Sequence, residues 1–155
     1  MASSPQEQKN KQVVRQFFEA ADRHDIERMG QLVSSTNYLF HFPGMPPMDW
    51  NTHKQFFTGF ITSFPDLRHE IVEMATEGDK VAVRFNVTGT HKGDLQGIPP
   101  SGKKVSFGAM DFITLIDGKI VEDWLSVDIM GLMQQIGAIP SAPPSAASGS
   151  SSAHS

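Results

Sequence analysis

The stretch Lys104-Val-Ser-Phe-Gly-Ala-Met-Asp-Phe-Ile-Thr-Leu-Ile-Asp-Gly-Lys-Ile-Val-Glu-Asp-Trp-Leu-Ser-Val-Asp128 decides the fold. Two apolar, alternating runs flank Asp117-Gly118, the pair that a type I′ hairpin needs because both central residues take positive φ. With Asp117 and Gly118 as the loop, Ile116 faces Lys119 and every opposed pair of residue numbers sums to 235. That register sets Asp111 opposite Trp124, Ala109 opposite Ser126, Phe107 opposite Asp128 and Ile113 opposite Glu122. Asp111 then stands on one face among Phe107, Ala109, Ile113 and Leu115. A carboxylate on an apolar face loses solvation, which raises its pKa toward the range useful for proton transfer near neutrality. The structural alternative is an aspartate that accepts bonds from nearby amides or from the Trp124 indole.

Upstream, Val81, Val83, Phe85, Val87, Gly89 and His91 alternate with Ala82, Arg84, Asn86, Thr88 and Thr90, the period of a half-buried strand. Another strand is expected from about Leu67 to Thr76, with a turn at Glu77-Gly78-Asp79, and a short one over Tyr38 to Phe42. Helical stripes run through Val13, Val14, Phe17, Phe18 and Ala21, starting at Lys11, and through Phe56, Phe57, Phe60, Ile61 and Phe64. Shorter helices are expected over Ile26 to Val33 and over Ile129 to Ile136, the latter ended by Gly137. Helices followed by meandering strands give an α+β fold in which helices cover one face of a curved antiparallel sheet, a cone with a cavity.

The 155 residues fit one domain, expected over 10–140 between a flexible N-terminus (1–9) and a disordered Ser/Ala/Pro tail (141–155). A net charge of −4 gives no excess of cations to collect phosphates or anionic lipid, so nucleic acid and membrane are not expected partners. No run approaches the roughly 18 apolar residues of a spanning helix, and a cytoplasmic protein is expected. The chain lacks cysteine and any HxxxH or HxH spacing, so neither a thiolate nucleophile nor a metal site is expected.

Asp128, just before Ile129-Met-Gly-Leu132, suits a helix N-cap, and lies about 13 Å along the strand from Asp111's partner, too far for a shared proton. Glu122 is a diagonal neighbour of Asp111 at about 7 to 8 Å. His41, between Phe40 and Phe42, is either a proton shuttle or a satisfied core histidine. His91 ends the apolar face of its strand, and His24, His53, His69 and His154 read as peripheral. Met110, Phe112, Ile116, Val121, Leu125 and Val127 form a second apolar face, the expected contact of a homodimer.

Thr88-Gly-Thr-His91, Gly97-Ile-Pro-Pro-Ser-Gly-Lys103, Asp117-Gly-Lys-Ile-Val-Glu-Asp-Trp124 and Gln134-Gln-Ile-Gly137 together resemble the SnoaL-like polyketide cyclases of the nuclear transport factor 2-like superfamily. Phe64-Pro-Asp-Leu67 and Glu77-Gly-Asp79 fit the same pattern. The resemblance implies a cone, a small-molecule substrate, no cofactor, and intramolecular aldol closure with an aspartate as general acid/base. It sets Leu125 at that aspartate's position, a departure that passes the role to Asp111, and it aligns Asp128 with a family aspartate. It would also turn Leu125 into the cavity, against the simple register, and a β-bulge would reconcile the two. The expected function is a cyclase or isomerase on an apolar polyketide or terpenoid-like molecule, with Asp111, His41 and Asp128 as proton-transfer candidates. Tyr38, His91, Phe107, Glu122, Trp124 and Leu125 would shape the pocket. A non-catalytic binding module and an epoxide hydrolase are the alternatives.

Overall fold

The computed structural model describes residues 2–140, so the expectations for the 141–155 tail and for His154 lie outside the described residues. Four helices, α1 (Pro5–Asp22), α2 (Ile26–Leu32), α3 (Trp50–Ser63) and α4 (Ile129–Gln135), accompany five strands. These are β1 (Leu39–His41), β2 (Arg68–Glu77), β3 (Lys80–Thr90), β4 (Lys104–Ile116) and β5 (Lys119–Val127), in the sheet order β1-β5-β4-β3-β2. The architecture is α+β, as the sequence pattern requires. One detail differs: the edge strand β1 pairs parallel to β5, so the sheet is mixed.

Helix α1 begins at Pro5 rather than near Lys11, so most of the segment expected to be a flexible N-terminus is helical. The cause is local. Ser4 accepts from the Glu7 amide while the Glu7 carboxylate takes the Ser4 amide, a capping box that satisfies two orphan donors, and Pro5 supplies the helical φ. The same Glu7 reaches the Gly78 amide in the β2–β3 turn.

The β4–β5 turn is the expected one, with Asp117 at φ 52° and Gly118 at φ 75°. Ile116 faces Lys119 and Leu115 faces Ile120, but the ladder then shifts by one residue, and beyond it Thr114 faces Glu122 and Asp111 faces Leu125. The extra residue on β5 is a bulge, and its effect is a change of face for everything that follows. Trp124, expected beside Asp111, instead pairs with Phe112 on the outer face, where the two are 53% and 49% exposed. Leu125 and Val127, outside in the simple register, turn inward, as the family resemblance required of Leu125, and Asp123 enters the interior opposite Ile113. The expected pairs Ala109 with Ser126 and Ile113 with Glu122 are likewise replaced by Ala109 with Val127 and Ile113 with Asp123.

The inner face of the sheet carries Val81, Val83, Phe85, Val87, Phe107, Ala109 and Ile113, and α1 lays Val14, Phe17, Phe18 and Ala21 against it. Helices α3 and α4 close the remaining sides with Phe57, Phe60 and Leu132. These side chains meet around a void instead of filling it.

Candidate active site

That void is a cavity of about 130 Å³ whose walls are almost entirely carbon. Its polar side chains are Asp111, Asp123, His53 and His69. An apolar chamber with a few convergent polar groups is the usual form of a small-molecule site.

Asp111 and Asp123 sit on adjacent strands of the inner face as diagonal neighbours, because Asp111 opposes Leu125 and Asp123 lies two residues before it. Both are almost wholly buried, at 7% and 2% exposure. Each carboxyl bears on the other's titration, and two like charges buried side by side favour a state in which one of them keeps its proton. Burial pushes the Asp111 carboxyl well above the usual range, and the neighbouring Asp123 charge and hydrogen bond push it further. Burial likewise raises Asp123, to about 7. The two titrate as a unit, and near neutrality that unit holds a proton it can give and a lone pair it can use. One oxygen of each, Oδ1, has no partner among the described residues.

His53 projects from α3 into the same chamber. Its ring stacks on Phe40, centroids 3.8 Å apart, and Phe40 is the β1 neighbour of Asp123. Burial lowers its pKa to about 3, so the imidazole is neutral. Its Nδ1 lies 2.9 Å from the hydroxyl of buried Tyr38. Burial and the nearby Asp123 and Asp111 charges raise the Tyr38 pKa well above its ordinary value, so the phenol keeps its proton, and it donates to Nδ1 or accepts from it according to the His53 tautomer. In the tautomer in which the phenol donates, the neutral ring carries its own hydrogen on Nε2. Tyr38 therefore acts behind the cavity wall, where it holds the His53 ring.

On another wall, His69 of β2 packs between Phe18 and Phe85, with its Nδ1 2.7 Å from Asp22 Oδ1. Among the described residues no group of three His, Cys, Asp or Glu side chains is arranged to hold a metal ion, and no helix is long and apolar enough to cross a membrane.

The bulge also redistributes the residues singled out by spacing alone. Phe107, Asp111 and Leu125 line the cavity. His41 and Trp124 are on the outer face, stacked with centroids 3.5 Å apart, and Glu122 accepts the His41 Nε2 hydrogen at 2.8 Å. Asp128 caps α4, accepting the Gly131 amide at 2.8 Å. His91 is buried behind Phe64 and outside the cavity lining, where its Nδ1 accepts the Ser101 amide at 3.1 Å and pins the loop before β4. Three polar groups of the chamber were missed by spacing. For His53 a signal exists, since it falls on the α3 stripe of Phe57 and Phe60 at i+4 and i+7. For His69 it is the alternation with Ile71 on β2, whereas the bulge that turns Asp123 inward carries no local mark and was called for only by the resemblance that places Leu125 in the cavity.

The profile of a family described as SnoaL-like polyketide cyclase matches residues 11–136. Among solved structures the chain is similar to AclR, a proposed hydroxylase from Streptomyces galilaeus, at 25% identity and a TM-score of 0.85, covering 96% of this chain and 93% of that one. It is also similar to a proposed SnoaL-like polyketide cyclase from Jannaschia sp. CCS1, at 25% identity and a TM-score of 0.83, covering 90% and 99%. A third is IdmH, a proposed polyketide cyclase from Streptomyces antibioticus, at 25% identity and a TM-score of 0.75, covering 83% and 98%. No curated protein matches the sequence.

Proposed function

The chain belongs to the SnoaL-like polyketide cyclase family, and on that premise we propose that it is a cofactor-independent cyclase or isomerase acting by proton transfer on a mostly apolar polyketide or terpenoid-like molecule. The observation that carries this is the buried, neighbouring pair Asp111 and Asp123 on the wall of an apolar cavity. A carbonyl compound in the chamber would give an α-proton to the ionised member of the pair. The electrons of the broken C–H bond pass into the enolate, whose oxygen takes a hydrogen bond from His53 Nε2. The enolate then either attacks a second carbonyl of the same molecule through its α-carbon, closing a ring, or, where it is conjugated to a C=C bond, takes the proton at the far carbon as the double bond shifts. In each case the pair returns the proton it took. The wall excludes water, so the reactive carbon meets its intramolecular partner and not solvent.

The proton-transfer role falls to Asp111 and Asp123 in place of His41 and Asp128, whose side chains have other partners outside the lining. A second reading has one observation in its favour: Leu125 occupies the position where the family resemblance calls for the acid/base aspartate, which suits a non-catalytic binder. Deuterium exchange at the α-carbon of a bound apolar ketone separates the two without knowledge of the natural substrate. With 2-acetonaphthone in deuterated buffer, the wild-type protein should accelerate methyl-proton exchange, and Asp111→Asn should abolish the acceleration. Binding without any accelerated exchange would favour the non-catalytic reading.

A further inference from the structure

The Asp22 and His69 pair is not used by the proton-transfer chemistry. Asp22 is the last residue of α1, and one of its oxygens, Oδ1, accepts both the His69 backbone amide at 2.9 Å and the His69 ring Nδ1 at 2.7 Å. The amide bond alone would tie α1 to β2. The ring bond does something further: a carboxylate only accepts, so Nδ1 carries the hydrogen, and in the neutral ring Nε2 is left as a bare acceptor. The ring is held edge-on to Phe18, centroids 5.4 Å apart, so its direction is fixed. It forms part of the cavity lining, and Nε2 has no protein partner among the described residues.

His69 is remote from the aspartate pair. It faces Val87, which faces Phe107, four residues along β4 from Asp111. At about 3.3 Å per residue and about 4.8 Å per strand spacing, the two Cα atoms stand about 16 Å apart on a flat sheet. No single functional group touches both ends. Building on the proton-transfer reading above, we infer that the Asp22 and His69 pair is a second anchor of the substrate site, an acceptor that binds a hydroxyl at the end of the molecule remote from the reacting carbonyl. The substrate class is then an elongated, apolar molecule with a carbonyl at one end and a hydroxyl at the other.

Two matched probes test this: 2-acetonaphthone, and 6-hydroxy-2-acetonaphthone, which adds a hydroxyl at the opposite end of the ring system. The wild-type protein should bind the hydroxy ketone about tenfold more tightly, the scale of one hydrogen bond made in an apolar site. In His69→Phe, which keeps a ring between Phe18 and Phe85, that increment should vanish, so that the two ketones bind with equal affinity. His69→Leu carries the same comparison if the Phe variant fails to fold. Long-range ¹⁵N NMR of the free protein should show His69 with its hydrogen on Nδ1. An increment that survives loss of the imidazole, the absence of an increment in the wild type, or a His69 ring with its hydrogen on Nε2 would each overturn the anchor. The two proposals fail separately. Loss of the increment in His69→Phe with α-proton exchange unchanged in Asp111→Asn leaves the anchor standing and removes the catalytic reading, and failure of the wild type to bind either ketone removes both.

Discussion

Asp111 and Asp123 meet on the inner face of the sheet because a single extra residue in β5 rotates Asp123 inward and Trp124 outward. Without that residue Asp111 would be an isolated buried carboxyl. With it, two carboxyls stand as neighbours in a chamber where neither is well solvated. A site built for binding alone gains nothing from such a pair, since two buried acids cost stability unless paired and neutralised.

Replacement of Asp111 by Asn should therefore separate stability from chemistry. The Asn amide can donate to the Asp123 carboxylate, so the fold should survive with equal or slightly greater stability, by up to about 1–2 kcal/mol. Proton transfer should be lost. Urea melts together with the ketone-exchange assay make the comparison, and a variant that unfolds or retains full exchange contradicts the assignment.

The pair also sets a pH dependence. In the unfolded chain both aspartates ionise near ~3.9, whereas in the fold Asp123 is raised to about 7 and Asp111 is raised as well. Their contribution is fully present below the unfolded value and is lost as pH rises through about 7, because the fold retains protons that the unfolded chain has released. His53, lowered to about 3, acts in the opposite sense, its contribution being lost as pH falls below the unfolded histidine value. Relative to the wild type, the double variant Asp111→Asn/Asp123→Asn should gain on the order of 2–4 kcal/mol between pH 5 and 8. Denaturant midpoints at several pH values would show it, and a difference independent of pH would count against the pair.

Leu125 faces Asp111 directly across the ladder. Leu125→Asp would add a third carboxyl to a buried pair and should cost roughly 2–4 kcal/mol. If thermal melting instead showed no loss, the chamber around Asp111 would have to be wetter than its lining implies.

On the outer face, Met110, Phe112, Ile116 and Trp124 are each about half exposed. The register aligns Phe112 and Trp124 in one row with Ala75, Ala82 and His41 across all five strands. A contiguous apolar row of this kind suits association with a second copy. The protein is expected to sediment as a homodimer at micromolar concentration and Phe112→Glu as a monomer; a monomeric wild type would refute the contact.

Much of this was legible in the chain itself. Asp117-Gly118 fixed the hairpin, the Val81 to His91 alternation fixed a central strand, and the Phe17 and Phe57 stripes fixed the covering helices, because each is a local preference that the tertiary packing only reinforces. The bulge was legible only through the family resemblance, which needed one to turn Leu125 inward. It needs no Gly or Pro, and the residues around it, Ile120-Val-Glu122, read as ordinary strand. A one-residue slip inverts every later side chain, so this small silent feature exchanged Trp124 for Asp123 in the site. His53 and His69 were passed over because a histidine on an apolar stripe resembles a surface residue until the opposite wall is known.

The protonation of the aspartate pair is the most direct test of all this. ¹³C NMR of the carboxyl carbons in protein labelled at aspartate, titrated from pH 4 to 9, follows each group without any substrate. Asp111 and Asp123 should keep at least one proton between them at pH 6 and release it with an apparent pKa near that of Asp123, about 7, or above. Two carboxyls fully ionised by pH 5 would mean that the pair is solvated, holds no proton to share, and cannot be the acid/base of the cavity.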